Sequence, residues 1–240
     1  MKIDYGEYYN GDYFTGKKKY NDGHETKNYH GPSLTWDGFD HVADALRVVL
    51  PHGPLLDVGC GGGDLARRLK ARGFDPYGVD ISEYAIENAS VDMRDRLHIC
   101  DISASPPLPP HFPETFKSVI ATDLLEHIYE EDLEKTFNWI LERTEKWLFF
   151  CVATAAHDKK EFILKKGEPV PPRDEKVAVS GHVNVRTFWY WLKFFENFPN
   201  RILRVDWKKM YLFQLRREAI PAWRDTMGWN MQTTFILEAL

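Results

Sequence analysis

Cysteine is scarce and scattered. Cys60, Cys100 and Cys151 are the whole complement in 240 residues, an odd number with no C-x-x-C pair. That excludes a disulfide framework or a thiolate zinc site as the organising device, and it points to a reducing, cytoplasmic setting. Long apolar runs are missing too. No stretch approaches the ~18 uninterrupted apolar residues of a membrane span. The opening MKIDYGEYYNGDYF is polar and aromatic, unlike the apolar run of a signal peptide. Positive charge is not in excess either: 31 Lys and Arg against 36 Asp and Glu leave −5. This balance argues against broad nucleic-acid binding, although it leaves room for a local basic groove.

What is present is a normal core and many rings. Apolar residues make up 43% of the chain, enough to fold, and 14% are aromatic, with 8 Trp and 11 Tyr. So many amphipathic rings exceed what a plain core requires, and they need a place.

The first 35 residues are rich in Tyr, Gly, Asn and Lys without helical periodicity, which predicts an irregular arm packed over another surface. From Trp36 to Leu50 the apolar positions Phe39, Val42, Ala43, Leu46 and Val49 recur at three and four, an amphipathic helix stopped by Pro51-His52-Gly53-Pro54. Strands and helices then alternate. Leu55–Val58, Asp75–Val79, Leu97–Cys100, Phe116–Ala121 and Trp147–Ala153 read as strands. Asp64–Arg72, a segment capped by Ser82 and running to Ala89, and Glu130–Arg143 read as helices. This order predicts right-handed βαβ units and a parallel sheet covered on both faces. Residues 154–185 are polar and proline-bearing, like an insertion or lid. A helix is predicted over Thr187–Phe195, and strands over Arg201–Trp207 and Thr233–Leu237, with a Trp- and Met-rich stretch between. One domain is expected: arm and cap helix over 1–50, a ligand-binding core over 51–153, and an insertion with final strands over 154–240.

The first strand runs into Asp57-Val-Gly59-Cys60-Gly61-Gly-Gly63-Asp64, and a helix follows. Glycines at that junction allow a tight turn, and the helix start offers free N–H groups. A dinucleotide fingerprint anchored at Gly59 would place its third glycine where Asp64 stands. A pyrophosphate would also meet the carboxylates of Asp57 and Asp64, whereas a ligand ammonium would be favoured by Asp57. Asp80 ends the second strand 21 residues after Gly59, close to the ~20 expected of a carboxylate that accepts from ribose hydroxyls. Asp101-Ile102 follows the third strand, where an amino group of an adenine could donate to Asp101 beside an apolar contact. Successive acids at the carboxyl ends of strands mark the ligand edge of an open α/β sheet.

The run LLDVGCGGGDLARRLKARGFDPYGVDISEYAIENA, with CDIS and FKSVIATDLLEHI after it, resembles the signature of class I S-adenosylmethionine-dependent methyltransferases, over roughly residues 36–153. The resemblance implies a Rossmann-like seven-stranded, mostly parallel sheet with an antiparallel last strand and an aromatic, helical N-terminal cap. It implies S-adenosylmethionine as cofactor. Gly59, Cys60 and Gly61 would line it, Asp57 would favour its ammonium, and Asp80 would hold its ribose. Ile81 would pack on adenine, with Asp101 and Ile102 beside it, and Asp123 of the fourth-strand motif would belong to the same side. An NAD-dependent oxidoreductase shares such a sheet, but Asp57 and the missing third glycine oppose it. A non-catalytic methyltransferase-like subunit would keep the core and lose the acceptor chemistry.

On the acceptor side, Asp123, Glu126 and His127 are spaced by three and four and would share a face of a helical turn. His127, with an ordinary pKa near 6.5, is the natural base for a hydroxyl; it could instead orient a loop. The Asp-x-x-Glu-His run also resembles the metal-binding run of small-RNA 2′-O-methyltransferases and of some ubiquinone-pathway O-methyltransferases, with Asp123 replacing their Glu. A divalent metal on Asp123, Glu126, His127 and His182 is therefore an alternative to the metal-free reading. In small-molecule-modifying relatives a His-Val-Asn-Val run like that at His182 lines the acceptor pocket. His157 is a third candidate. The expectation is methyl transfer to an oxygen of a small molecule or glycan, with His127 or His182 as base. The tyrosine-rich arm would close over the cofactor, stack on a sugar or ring, or simply pack on the sheet edge.

Overall fold

The computed structural model of the chain describes residues 5–15, 38–155, 161–169, 181–199, 201–218 and 233–240. Its strands are β1 (Pro54–Val58), β2 (Asp75–Asp80), β3 (Leu97–Ile99), β4 (Phe116–Thr122), β5 (Thr144–Cys151), β6 (Phe162–Ile163), β7 (Asn184–Val185), β8 (Leu203–Val205) and β9 (Thr234–Ala239). Its helices are α1 (Tyr5–Tyr8), α2 (Gly11–Phe14), α3 (Gly38–Val49), α4 (Asp64–Lys70), α5 (Glu83–Glu87), α6 (Glu130–Glu142), α7 (Phe188–Glu196) and α8 (Trp207–Glu218). Seven strands form one sheet in the order β3-β2-β1-β4-β5-β9-β8. β1 pairs in parallel with β2 and β4, β2 with β3, and β4 with β5; β9 lies antiparallel to both β5 and β8. The chain order reverses between β1 and β4, which opens the crevice where α/β sheets bind ligands.

Consecutive residues of the central strands are buried, as at Val119-Ile120-Ala121 and Leu148-Phe149-Phe150. Side chains alternate between faces, so unbroken burial requires cover on both. On one flank α3 buries Val42, Ala43, Leu46 and Val49 and packs against α4 and α8. Its outer acids meet the basic turns of α4: Arg72 Nε donates to Asp44 Oδ1 at 2.7 Å and Arg68 Nε to Asp40 Oδ2 at 3.2 Å. On the other flank Phe137 and Phe195 meet the sheet through Phe150, whose ring stacks on Phe195 at 5.2 Å.

The structure departs from the sequence reading in several places. The arm is not wholly irregular: α1 and α2 are single helical turns, the second capped by Asn10, whose side chain accepts from Asp12 and Tyr13 N–H. The strand expected over Arg201–Trp207 is confined to Leu203–Val205, because Asp206 caps a helix by accepting from Lys209 N–H at 2.9 Å. That helix, α8, had no clear period because it is apolar on two sides. Met210 and Phe213 face inward while Trp207, Tyr211, Leu212 and Leu215 are exposed. The fifth strand begins at Thr144, earlier than expected, and the 154–185 segment contributes an antiparallel ribbon of β6 and β7. Expectations resting on Lys17–Lys19, Tyr20, Tyr29, Trp36, His157, Trp223, Met227, Trp229 and Met231 lie outside the described residues.

Candidate active site

The carboxyl edge of β1 turns sharply. Gly59 and Cys60 N–H both donate to the Val79 carbonyl, at 2.8 and 3.1 Å, which locks the loop onto the end of β2. Gly63 caps α4 with φ +78, and a Cβ there would lie 2.7 Å from Leu97 Cδ1. Both the left-handed backbone and the packing demand glycine. Gly63→Ala is therefore expected to lower stability by about 1–3 kcal/mol, read as a reduced midpoint in urea unfolding with unchanged slope.

The acids predicted for the cofactor gather at this edge with distinct surroundings. Asp57 is 1% exposed and its Oδ1 has no hydrogen-bond partner. Burial, and then the nearby Asp80, push its carboxyl up to about 7. Asp80 is raised as well by burial, against the pull of backbone N–H groups. Its Oδ2 accepts from Gly61 N–H at 2.7 Å and its Oδ1 from Ser82 N–H at 2.8 Å, so it ties the glycine loop to the start of α5. Asp101 Oδ1 accepts from the Ser103 N–H at 3.0 Å and hydroxyl at 2.6 Å, capping the 3-10 turn Ile102–Ala104. Two of the expected cofactor residues also pack within the protein. Ile102 is buried in the main core, and the Cys60 side chain packs with the Met93–Leu97 cluster under Gly78. Ile81 is partly buried beside the aromatic arm.

Beyond β4 the chain makes a 3-10 turn at Leu125–His127, not the α-helical turn on which the three polar residues would share a face. Asp123 is exposed with φ +53 and stands outside the group formed by Glu126, His127 and His182. Each of those three offers one ligand atom within 4.8 Å of the others'. Glu126 is fully buried. Its Oε1 accepts from Ala153 N–H at 2.8 Å, its carbonyl accepts from Val183 N–H at 2.8 Å, and its Oε2 has no partner. Burial and the charge of Asp123 raise its carboxyl above the usual range. The two imidazoles meet edge to face, with ring centroids 4.8 Å apart. Burial, with His182 adding to it, lowers His127 to about 3, and burial lowers His182 to about 4. Both rings are therefore neutral near pH 7, able to accept a proton.

The aromatic arm closes this edge. Tyr5, Tyr8, Tyr13 and Phe14 are buried in one cluster with Tyr129 and with Phe162, Val183 and Val185 of the ribbon. Tyr129 N–H donates to the Tyr5 hydroxyl at 2.5 Å, and the Phe14 ring lies 3.8 Å from where a Gly61 Cβ would be. Tyr9 reaches furthest: its hydroxyl lies 2.8 Å from His127 Nδ1. The sequence reading left the arm over the cofactor, on a ring of the acceptor or simply against the sheet edge, and it did not single out Tyr9 or the Glu126 strut. No spacing rule links residues 118 positions apart.

The chain is similar to known methyltransferases in sequence and in fold. Two ubiquinone biosynthesis O-methyltransferases are similar: one from Thiobacillus denitrificans is 30% identical over 121 residues, 49% of this chain and 51% of that protein. One from Chromobacterium violaceum is 28% identical over 112 residues, 46% and 47% of the two chains. The chain thus spans about half the length of the curated relatives it matches. Among solved structures, mitomycin 7-O-methyltransferase superposes with a TM-score of 0.54 at 13% identity, over 89% of this chain and 56% of that one. The plantazolicin methyltransferase BpumL in complex with SAH does so with 0.56 at 12%, over 85% of each; at such identities the likeness shows the fold. Residues 38–208 match the family model described as a methyltransferase domain. With that match over most of its length, and a seven-stranded sheet whose last strand is antiparallel as expected, the chain belongs to the methyltransferase domain family, of the class I S-adenosylmethionine-dependent kind.

Proposed function

We propose that the chain transfers a methyl group from S-adenosylmethionine to a hydroxyl oxygen of a small molecule, with His127 taking the proton and His182 beside it. The observation that carries this is the pair of neutral imidazoles packed against a buried, unpartnered Glu126 oxygen at the carboxyl edge of the sheet. The residues present fit the cofactor. Asp57 holds a buried carboxylate oxygen that lacks a donor, which an ammonium would satisfy. Asp80 keeps lone pairs for ribose hydroxyls beyond the two N–H groups it accepts from. When bound, S-adenosylmethionine supplies a methyl on a sulfonium and leaves as S-adenosylhomocysteine. As the acceptor oxygen gains the methyl it becomes far more acidic, so even an imidazole of lowered basicity can take its proton. Glu126, within reach of both rings, has its carboxyl raised to about 8 by burial and then Asp123, and an imidazolium forming beside it draws it toward the charged form.

The curated relatives act on oxygen in ubiquinone biosynthesis, which supports oxygen as the target here. The ring-lined arm favours a sugar or flat ring as acceptor, through stacking and apolar contact. Three free thiols, two of them buried, fit a cytoplasmic location. Titration with S-adenosylmethionine is expected to give micromolar or tighter binding. Release of S-adenosylhomocysteine is then measured across phenols, sugars and matched amines. No binding, or turnover of the amines alone, would overturn the reading. The grouping of Glu126, His127 and His182 is the observation that favours a metal-assisted variant; loss of turnover with EDTA, restored by Mg²⁺, Mn²⁺ or Zn²⁺, would select it.

A further inference from the structure

His127 has two ring nitrogens, and only a neutral ring whose lone pair faces the acceptor can act as base. Which nitrogen carries the proton is set by what the other one meets. At Nδ1 the neighbour is Tyr9, with its hydroxyl 2.8 Å away. A third polar group shares this place. The Gly181 carbonyl lies 3.4 Å from the Tyr9 hydroxyl, and the buried Gly181 adopts φ +81. A Cβ on Gly181 would fall 2.5 Å from that hydroxyl and 3.2 Å from His127 Nδ1, so glycine alone lets the backbone approach.

Two arrangements of the protons are open. If the Tyr9 O–H donates to Nδ1, it is lost to the Gly181 carbonyl, which no backbone N–H reaches among the described residues. If instead Nδ1–H donates to the Tyr9 oxygen, the Tyr9 O–H is free to donate to Gly181, and all three groups are satisfied. Buried polar groups are nearly always paired, which favours the second arrangement.

We infer that Tyr9 is a positioning residue that holds His127 in the Nδ1–H tautomer and so leaves Nε2 as the atom that takes the acceptor's proton. The inference rests on the reading of His127 as base, and it gives the N-terminal arm a part in the chemistry. Without the Tyr9 hydroxyl the ring would rotate and exchange tautomers, and a base with its proton on Nε2 cannot act.

The test separates the tautomer from the activity. In protein labelled with ¹⁵N-histidine, two-bond correlations at pH 7 distinguish Nδ1–H from Nε2–H, and the His127 signal is identified by its loss in His127→Gln. The wild type is expected in the Nδ1–H form, and Tyr9→Phe is expected to shift toward Nε2–H. Because Phe keeps the ring packed between Tyr8 and Tyr13, kcat is expected to fall about tenfold, roughly one oriented hydrogen bond, with KM for both substrates unchanged. Tyr5→Phe loosens the arm at a different tether and is expected to leave the His127 tautomer as in wild type. An Nε2–H ring in the wild type, an unchanged tautomer in Tyr9→Phe, an equal shift in Tyr5→Phe, or a tautomer change without loss of kcat would each overturn the inference. Full activity in His127→Ala would instead overturn the base reading, and the tautomer measured in wild type would still stand on its own.

Discussion

His127→Ala is expected to lower kcat by about 10²–10⁴-fold, the range for removing a positioned general base. The affinity for S-adenosylmethionine is expected to stay within about twofold, because Asp57, Gly59, Gly61 and Asp80, the contacts proposed for the cofactor, lie on β1, β2 and the glycine loop. This split between kcat and cofactor binding is the diagnostic feature. A ring that merely oriented its loop would disturb binding and stability together, since the loop also carries Glu126, whose carboxylate and carbonyl hold Ala153 and Val183. Stopped assays of S-adenosylhomocysteine release, with calorimetric titration of the cofactor on the same variant, decide it. Activity within threefold of wild type would remove His127 from the chemistry.

The second large effect has opposite signs in the free and bound protein. Asp57 is buried beside Asp80 with an oxygen that finds no donor. In the free protein this arrangement is a cost, because desolvation and like charge both oppose the carboxylate. Asp57→Asn removes the charge and is expected to raise the stability of the cofactor-free protein. It is also expected to weaken S-adenosylmethionine binding by about 10- to 100-fold, as the loss of a charge-assisted hydrogen bond of roughly 1.5–3 kcal/mol implies. The pH dependence follows the same logic. The folded-state carboxyl titrates at about 7 against 3.8 for the ordinary group, so the folded protein holds this proton more tightly than the unfolded chain does. The contribution is fully present below about pH 4 and is lost as pH rises toward 7. Urea midpoints of the cofactor-free protein measured from pH 5 to pH 8 are expected to fall more in the wild type than in Asp57→Asn. Equal slopes, or a destabilised variant, would contradict the assignment.

The two halves of this site were legible to very different degrees. The glycine loop, Asp57, Asp80 and the Ser82 cap all lie within one strand–helix–strand unit, where backbone geometry and local hydrogen bonds suffice to place them. Their positions could be read from order and spacing because a parallel βαβ unit carries its strand ends to one edge. Spacing did not announce, even here, that the Cys60 side chain packs under Gly78 or that Ile102 lies in the core. α8 shows another limit, since apolar residues on its outer face erased the period that would have announced it.

The acceptor side depends on contacts that no local pattern encodes. Glu126 and His127 were expected on one helical face with Asp123, but the left-handed backbone at Asp123 and the 3-10 turn that follows send Glu126 inward and leave Asp123 exposed. His182 reaches His127 because Val183 pairs its N–H with the Glu126 carbonyl, and Tyr9 reaches it because the arm buries its rings against the β6–β7 ribbon. The amino-acid sequence by itself determined the family, the sheet and the edge at which its acids gather, since these follow from local hydrogen bonding and hydrophobic period. Only the tertiary structure decided which side chains gather at the turn after β4. That choice is made by burial of aromatic surface between segments more than a hundred residues apart, whose energy depends on shape and not on spacing.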